Sequence, residues 1–415
     1  MTLHDVAITG MGVISPIGLD IAEATAALYS GASGIQAMHA PPIAKAFVAG
    51  VVPARFEEHF PKLERPFLDR TQHMAILAAR QAIAQAGHTE FSAYGQRAGL
   101  YYGNVNGGTA TALTWFEQLL VHGKGVSRPF TSMAIMGNAG GAQIAIRHKV
   151  LGPVITSASA CASSGVSIGE AARAIAHGYL DVAVAGGAEG PLTSLVMGTF
   201  DGTRAMSVPD PEDVSRTCKP FSKDRSGLVL GEGAAFIVLE NARHARERGA
   251  EIFGYLTGYG ISCDAHHIGM PESPGQIAAL RAAVDDAHLR PGDVAYINAH
   301  ATATQGGDVI EAESIRTVFG DGADAPAVSS TKSVHGHLLG GASALELVLT
   351  LIAMRESLLP ASGNLGSPDE RCSLNHVGSK PRQQQIDHAL SFSCGFGGTN
   401  VALVVSRLPR PLPPT

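Results

Sequence analysis

Short apolar runs with the character of buried strands alternate along the chain with segments whose apolar residues recur every three or four positions, and near residue 250 the alternation begins again. The run at 6–12 reads as a strand entering a glycine turn, followed by helical character at 22–29 and an amphipathic helix over 69–86 that stops at Gly87. A strand at 97–103, a helix at 139–147, a strand at 154–157, a helix at 164–177 and a strand at 182–185 continue the series. The second series reads as a strand at 252–261, a helix at 276–287, a strand at 294–298, helices at 308–319 and 342–354, and a closing strand at 401–405. Strands separated by helices predict an α/β fold whose sheet is parallel and covered on both faces. At 415 residues the chain is too long for one small core. It divides into two comparable halves, 1–250 and 251–407, that pack as one body, with a proline-rich tail at 408–415.

Composition narrows the function. Only 16% of residues are charged, the net charge is −6 and no basic stripe is present, so nucleic acid is not an expected partner. The longest apolar stretch, around 344–354, contains Glu346 and is too short to span a bilayer, and the N-terminus lacks the basic-then-apolar run of a signal peptide. Membrane insertion is not expected. Five cysteines, at 161, 218, 263, 372 and 394, never take CxxC spacing, which argues against a disulfide framework or zinc ribbon and for a reducing cytoplasm.

Cys161 lies among small residues (SASACASSG) where a strand should turn into a helix. Small neighbours permit a sharp turn and close approach of substrate, and a helix N-terminus favours thiolate. A buried inert thiol fits the same residues. His300 stands just past a strand in NAHATAT, where α/β enzymes place ligand-facing groups, although a satisfied core histidine would also sit there. Lys332 and His337 occur together in STKSVHGHLLGG, and SCGFGGTN over 393–400 is a glycine loop with one bulky aromatic, Phe396, before the last strand.

In this order and these contexts, Cys161, His300, Lys332, His337 and the glycine loop resemble the elongating β-ketoacyl-acyl carrier protein synthases, the type II class of the thiolase superfamily. The segment 219–233 is similar to the PFDxxRDGFVxGEG block of that family, and 182–189 to its AGGAE run. The resemblance implies a five-layered αβαβα thiolase-like fold of two duplicated halves. It also implies decarboxylating Claisen condensation of an acyl group with malonyl-acyl carrier protein through acyl-Cys161, in fatty acid or polyketide and polyene biosynthesis. By the same resemblance the N–H groups of Cys161 and Phe396 form the oxyanion hole, Phe396 is the gate, and His300 and His337 bind the malonyl thioester carbonyl. Lys332, Glu311 and Asp308 match supporting positions, with Lys332 pairing to Glu311, and Thr302 and Thr304 match the threonines that hold the pantetheine arm. No cofactor is implied.

The chain departs from the usual family pattern at Ala301 and Ala303, at Phe392 and Cys394, and at His335. Some relatives hold a structural monovalent cation here; Asn298 and Glu346 remain, but Ala299 and Phe392 stand at polar positions of that site, so no metal is expected. A zinc site from His335, His266 and His267 is the less favoured alternative. A non-decarboxylating thiolase would present Asn at His300 and use a late thiol, such as Cys394, as base. An inactive chain-length factor would have lost the nucleophile. The expected partners are acyl- and malonyl-loaded acyl carrier protein, docked by basic residues such as Lys62, Arg65, Arg70, Arg128 and Arg204, and a second subunit. That subunit would be a second copy or, in a heterodimer, a chain-length factor, and by the same resemblance 111–129 lies near the acyl pocket and this subunit.

Overall fold

A computed structural model describes residues 3–322 and 324–410. Of the tail expected at 408–415, residues 411–415 lie outside the described residues. Ten strands form one large sheet: β1 (Val6–Ile14), β2 (Ala98–Gly103), β3 (Val154–Ser157), β4 (Val182–Glu189), β5 (Gly233–Asn241), β6 (Gly254–Cys263), β7 (Tyr296–Asn298), β8 (Ala327–Ser329), β9 (His388–Cys394) and β10 (Thr399–Ser406). Their spatial order is β8-β7-β9-β10-β6-β1-β5-β4-β2-β3. Read from each edge to the centre, both five-strand sets follow the same order: third, second, fourth, fifth, first. The two first strands, β1 and β6, meet antiparallel through only two residue pairs, Ala7 with Tyr255 and Ile8 with Gly254.

The sheet is mixed, which corrects the expectation of a parallel one. Parallel pairs are confined to the flanks, β2 with β3 and β4, and β7 with β8 and β9. All pairs between β4 and β9 through the centre are antiparallel. The physical reason is plain at β9 and β10, whose connection from Cys394 to Thr399 is too short to cross over a sheet face and can only reverse the chain.

Six helices complete the layers: α1 (Arg70–Gln85), α2 (Ala139–His148), α3 (Ser163–Ala176), α4 (Ser273–Asp286), α5 (Gly307–Phe319) and α6 (Ala342–Glu356). Helices α1 and α2 cover one set of strands and α4 and α5 the other, while α3 and α6 touch each other and strands of both sets. The result is the αβαβα stack of a thiolase-like fold. A helix apolar on every side belongs inside, and α6, buried without interruption from Ala342 to Met354, fills the middle layer. Among the described residues no helix is long and apolar enough to cross a membrane.

Contact between outer helix and inner strand is set by missing side chains. A Cβ on Gly12 or Gly10 of β1 would lie 2.0 or 2.1 Å from the carbonyls of Ala78 and Ala82 on α1. On β6, Gly260 and Gly258 stand in the same relation to Ala279 and Ala283 of α4, at 2.0 and 2.1 Å. Both halves therefore seat a helix backbone directly on a strand backbone. Gly12→Val should force α1 off β1 and cost about 3 kcal/mol, the upper range for overpacking. A shift in the denaturation midpoint measures it, and an unchanged midpoint would mean the contact is not rigid.

Candidate active site

Strand β3 delivers the chain to a tight 3-10 turn, Ala160–Ala162, from which α3 departs. Ala160 takes φ 48°, a left-handed conformation that costs a non-glycine residue energy and recurs where a turn must present a reacting group. The Ser163 hydroxyl secures the turn, accepting the Ser159 N–H at 2.8 Å and donating to the Ala160 carbonyl at 2.6 Å. Ser343 of α6 donates to the Cys161 carbonyl at 3.2 Å. Gly395 lies against the same turn, where a Cβ would come within 2.6 Å of the Ser159 carbonyl. This close approach sets the Phe396 N–H, together with the N–H of Cys161 itself, on the thiol.

Burial pushes the Cys161 thiol up to about 11, against the opposing pull of Lys332 and those two N–H groups. The helix terminus that the sequence offered as a thiolate-favouring group is thus outweighed by desolvation, and Cys161 rests as the neutral thiol.

His300 leaves the end of β7 with its N–H bonded to Glu311 Oε1 at 2.6 Å, and the Ala301 N–H reaches Oε2 at 2.7 Å. His337 follows Gly336, whose φ of 73° turns the chain. It is pinned by its own N–H to the Val229 carbonyl at 2.7 Å and by the Gly231 N–H to its carbonyl at 2.9 Å. The two rings stand edge to face with centroids 5.3 Å apart. One ring nitrogen from each and the Cys161 sulfur all lie within 4.8 Å of one another. Burial first, and then the charge of Lys332, hold both imidazoles well below their ordinary value, so both are neutral. His300 Nδ1 and both ring nitrogens of His337 have no partner.

Lys332 does not pair with Glu311. Its ammonium meets Glu346 of α6, both side chains fully buried, because the Glu311 oxygens are taken by two backbone N–H groups. Asp308 accepts the Phe221 N–H at 2.8 Å and lies 3.9 Å from Arg225. Thr302 and Thr304 are linked hydroxyl to hydroxyl at 3.3 Å. Cys161, His300, His337, Glu311, Asp308, both threonines and Phe396 border one cavity of about 530 Å³, while Lys332 stands behind its wall. Phe396 is 44% exposed at the mouth and stacks on Phe200 at 6.4 Å.

Arg225 received no role from the sequence, although an arginine inside a glycine-rich apolar block was a signal. Wholly buried, it donates to the carbonyls of Thr304 and Gln305 at 3.0 and 2.8 Å and to Asp369 at 2.8 Å, fixing the path of the threonine segment. Arg70 is not free for docking: it is paired with Glu232 at 2.7 Å and donates to the carbonyls of Val52 and Ala54. His335 is buried between the Gly336 carbonyl and the Thr331 hydroxyl, at 2.7 and 3.0 Å, and does not gather with His266 and His267. Among the described residues the group of His, Cys, Asp or Glu close enough to ligate a metal is Cys161, His300 and His337.

The family model for the beta-ketoacyl synthase N-terminal domain matches residues 3–245, and that for the C-terminal domain matches 253–366. The chain is 37% identical to 3-oxoacyl-[acyl-carrier-protein] synthase 2 of Coxiella burnetii, over 98% of this chain and 100% of that one. It is 35% identical to the enzyme of the same name from Staphylococcus aureus, over 97% and 98%. Among solved structures, the ishigamide ketosynthase/chain length factor superposes with a TM-score of 0.90 at 30% identity, over 98% of this chain and 100% of that one. A beta-ketoacyl synthase from Burkholderia phymatum gives the same TM-score, identity and coverage.

Burial, with the neighbouring Asp308, pushes Glu311 from an ordinary 4.5 up to about 8. Between those values the folded state holds a proton that the unfolded chain has released, so stability falls as pH rises through the window. Glu311→Gln should flatten that slope. Denaturant midpoints measured across the window check this, and parallel slopes for the two proteins would refute it.

Proposed function

The chain belongs to the beta-ketoacyl synthase family and is an elongating condensing enzyme, a premise from which we propose that acyl-Cys161 is the covalent intermediate and that His300 and His337 drive decarboxylation of a malonyl-acyl carrier protein. The observation that carries this reading is the meeting of one thiol and two neutral, unpartnered imidazoles within 4.8 Å in one cavity.

In the first half-reaction the Cys161 sulfur attacks the thioester of an acyl carrier protein. The carbonyl oxygen is held by the N–H groups of Cys161 and Phe396, and the carrier thiol departs with the nucleophile's proton. The Thr302 and Thr304 hydroxyls hold the pantetheine arm. In the second, His300 and His337 donate to the malonyl thioester oxygen, the bond to the carboxylate breaks, carbon dioxide leaves and the electron pair becomes the enolate. The enolate carbon attacks acyl-Cys161, the carbon–sulfur bond breaks with its electron pair going to sulfur, the Cys161 thiolate takes a proton from water to restore the thiol, and a β-ketoacyl thioester remains on the carrier. Neutral imidazoles can still do this work, since each keeps one ring N–H to donate to the oxygen. Lys332 acts through its field, keeping both rings neutral, and Glu311 and Asp308 act as positioning residues. Burial and neighbouring carboxylates hold the Cys394 thiol well above its ordinary value, a poor state for the thiolase base.

The division at 1–250 and 251–407 belongs to the same reading, as do the fatty acid or polyketide setting and a cytoplasmic location, which all five cysteines, being free, favour. Acyl carrier protein is the substrate-bearing partner, docked through exposed Lys62, Arg128 and Arg204. A second subunit covers the face made by Phe116, Leu120, Met133 and Met136 and the open edge at Val154 and Ile155, all exposed. It is a second copy or a chain-length factor.

Incubating the protein with acyl carrier proteins and then with malonyl carrier, with intact mass and carbon dioxide as readouts, tests the reading. Cys161→Ala should form no adduct. His300→Ala should still acylate, yet lose about 10²- to 10³-fold in carbon dioxide release. Equal loss of both half-reactions in the histidine variant would overturn the division of labour.

A further inference from the structure

Four side chains bordering the reaction cavity carry buried polar atoms without a partner: His300, His337, Asp308 and Gln276. The histidines are accounted for by the chemistry, and the other Asp308 oxygen holds the Phe221 N–H. Gln276 has no assigned role. It sits in the first turn of α4, 1% exposed, with Oε1 unsatisfied. An amide withdrawn from water and left unpaired is unfavourable, and persists in native proteins where a ligand completes it.

The backbone beneath it is fixed. Ser262 donates to the Gly275 carbonyl at 2.6 Å, and a Cβ at Gly275 would come within 2.0 Å of Asp264 Oδ1. Asp264 is itself held by Asn400 at 2.6 Å and accepts the Glu272 N–H at 3.1 Å. Gln276 therefore projects from a locked turn. Rotation of its terminal amide by half a turn exchanges Oε1 and Nε2, so either an acceptor or a donor can be offered to the cavity.

We infer that Gln276 is a substrate-binding residue that orients the free carboxylate of the malonyl unit before it leaves as carbon dioxide. The inference rests on the decarboxylating reading given above. No Lys or Arg borders the cavity among the described residues. The nearby cations are committed, Lys332 to Glu346 and Arg225 to Asp369. Of the other side-chain donors, Thr203 binds the Phe200 carbonyl at 2.6 Å, the Thr302 and Thr304 hydroxyls serve the pantetheine arm in the reading above, and His267, whose Nδ1 accepts the Gly269 N–H at 3.0 Å, is exposed. Once His300 and His337 hold the thioester oxygen, the buried amide of Gln276 is the side-chain nitrogen donor of the wall that still lacks a role.

Its neutrality matters for the step. A fixed cation would stabilise the starting carboxylate more than the transition state, in which that charge is draining toward the thioester oxygen, and would slow the loss of carbon dioxide. A neutral amide fixes the direction of the breaking bond with less of that penalty. The buried carboxyls of Asp308 and Glu311 on the same wall add no attraction for the anion.

The test uses the full-length protein with acyl- and malonyl-carrier protein, following Cys161 acylation by intact mass and carbon dioxide release by steady-state kinetics. Gln276→Leu, of similar bulk, should raise the KM for malonyl carrier about tenfold or more, with a several-fold smaller effect on the acylation rate. Gln276→Glu should lose more, because a like charge then faces the carboxylate. An unchanged malonyl KM in Gln276→Leu overturns the inference, as does a proportional fall in both half-reactions, which marks a structural role. Wild-type protein that releases no carbon dioxide would remove the underlying reading itself, and that result is seen before any variant is made.

Discussion

Lys332 and Glu346 face each other where no water reaches either, and the chemistry of the site is organised around that buried pair. Two charges can be held inside a protein only together, since removing either leaves the other uncompensated at a cost of about 3–5 kcal/mol. Glu346 is there because α6, apolar on all sides, runs through the middle layer and carries one carboxylate inward. Lys332 is there because a short turn follows the edge strand β8. The positive charge is far enough inside the wall to spare the cavity a direct ion pair, yet near enough to disfavour protonation of His300 and His337 and to draw the Cys161 thiol downward.

The site is built across the two sets of strands. Cys161 comes from the turn between β3 and α3, whereas His300, His337 and the Gly395–Gly398 loop come from the second set. Ser343 of α6 ties them together, its hydroxyl hydrogen-bonded to the Cys161 carbonyl at 3.2 Å and to the Ser393 hydroxyl at 2.8 Å. Helices α3 and α6 can touch both sets because small residues there, such as Gly165 and Ser343, allow close approach. Cys161, His300 and His337 are therefore rigid relative to one another for the same reason that the middle layer is densely packed.

Desolvation runs through every electrostatic feature of the cavity. It raises the thiol, keeps the imidazoles neutral and leaves carboxyls such as Glu311 partly protonated. A reaction that begins with an anionic carboxylate and ends with neutral carbon dioxide gains from such surroundings, because water and fixed cations would favour the start over the transition state.

Local pattern was enough to place most elements within a few residues, to set Cys161 at a strand-to-helix turn and to bring out His300, His337 and the glycine loop, since spacing and turn chemistry are properties of neighbours in sequence. Pairing across the fold was not available in that way. The partner of Lys332 is Glu346, fourteen positions further along on another element, because Glu311 was already taken by backbone N–H groups that only the folded chain brings to it. Arg70 looked like a surface cation until Glu232, from a distant segment, closed on it at 2.7 Å. The antiparallel centre of the sheet escaped a rule that holds for strands joined by crossover helices. Gln276 read only as the start of a helix, and its place on the cavity wall depends on α4 docking against β6 and β10. The amino-acid order by itself determined which segments fold and which residues can react; burial and long-range approach, which exist only in the assembled tertiary structure, decided their charge states and their partners.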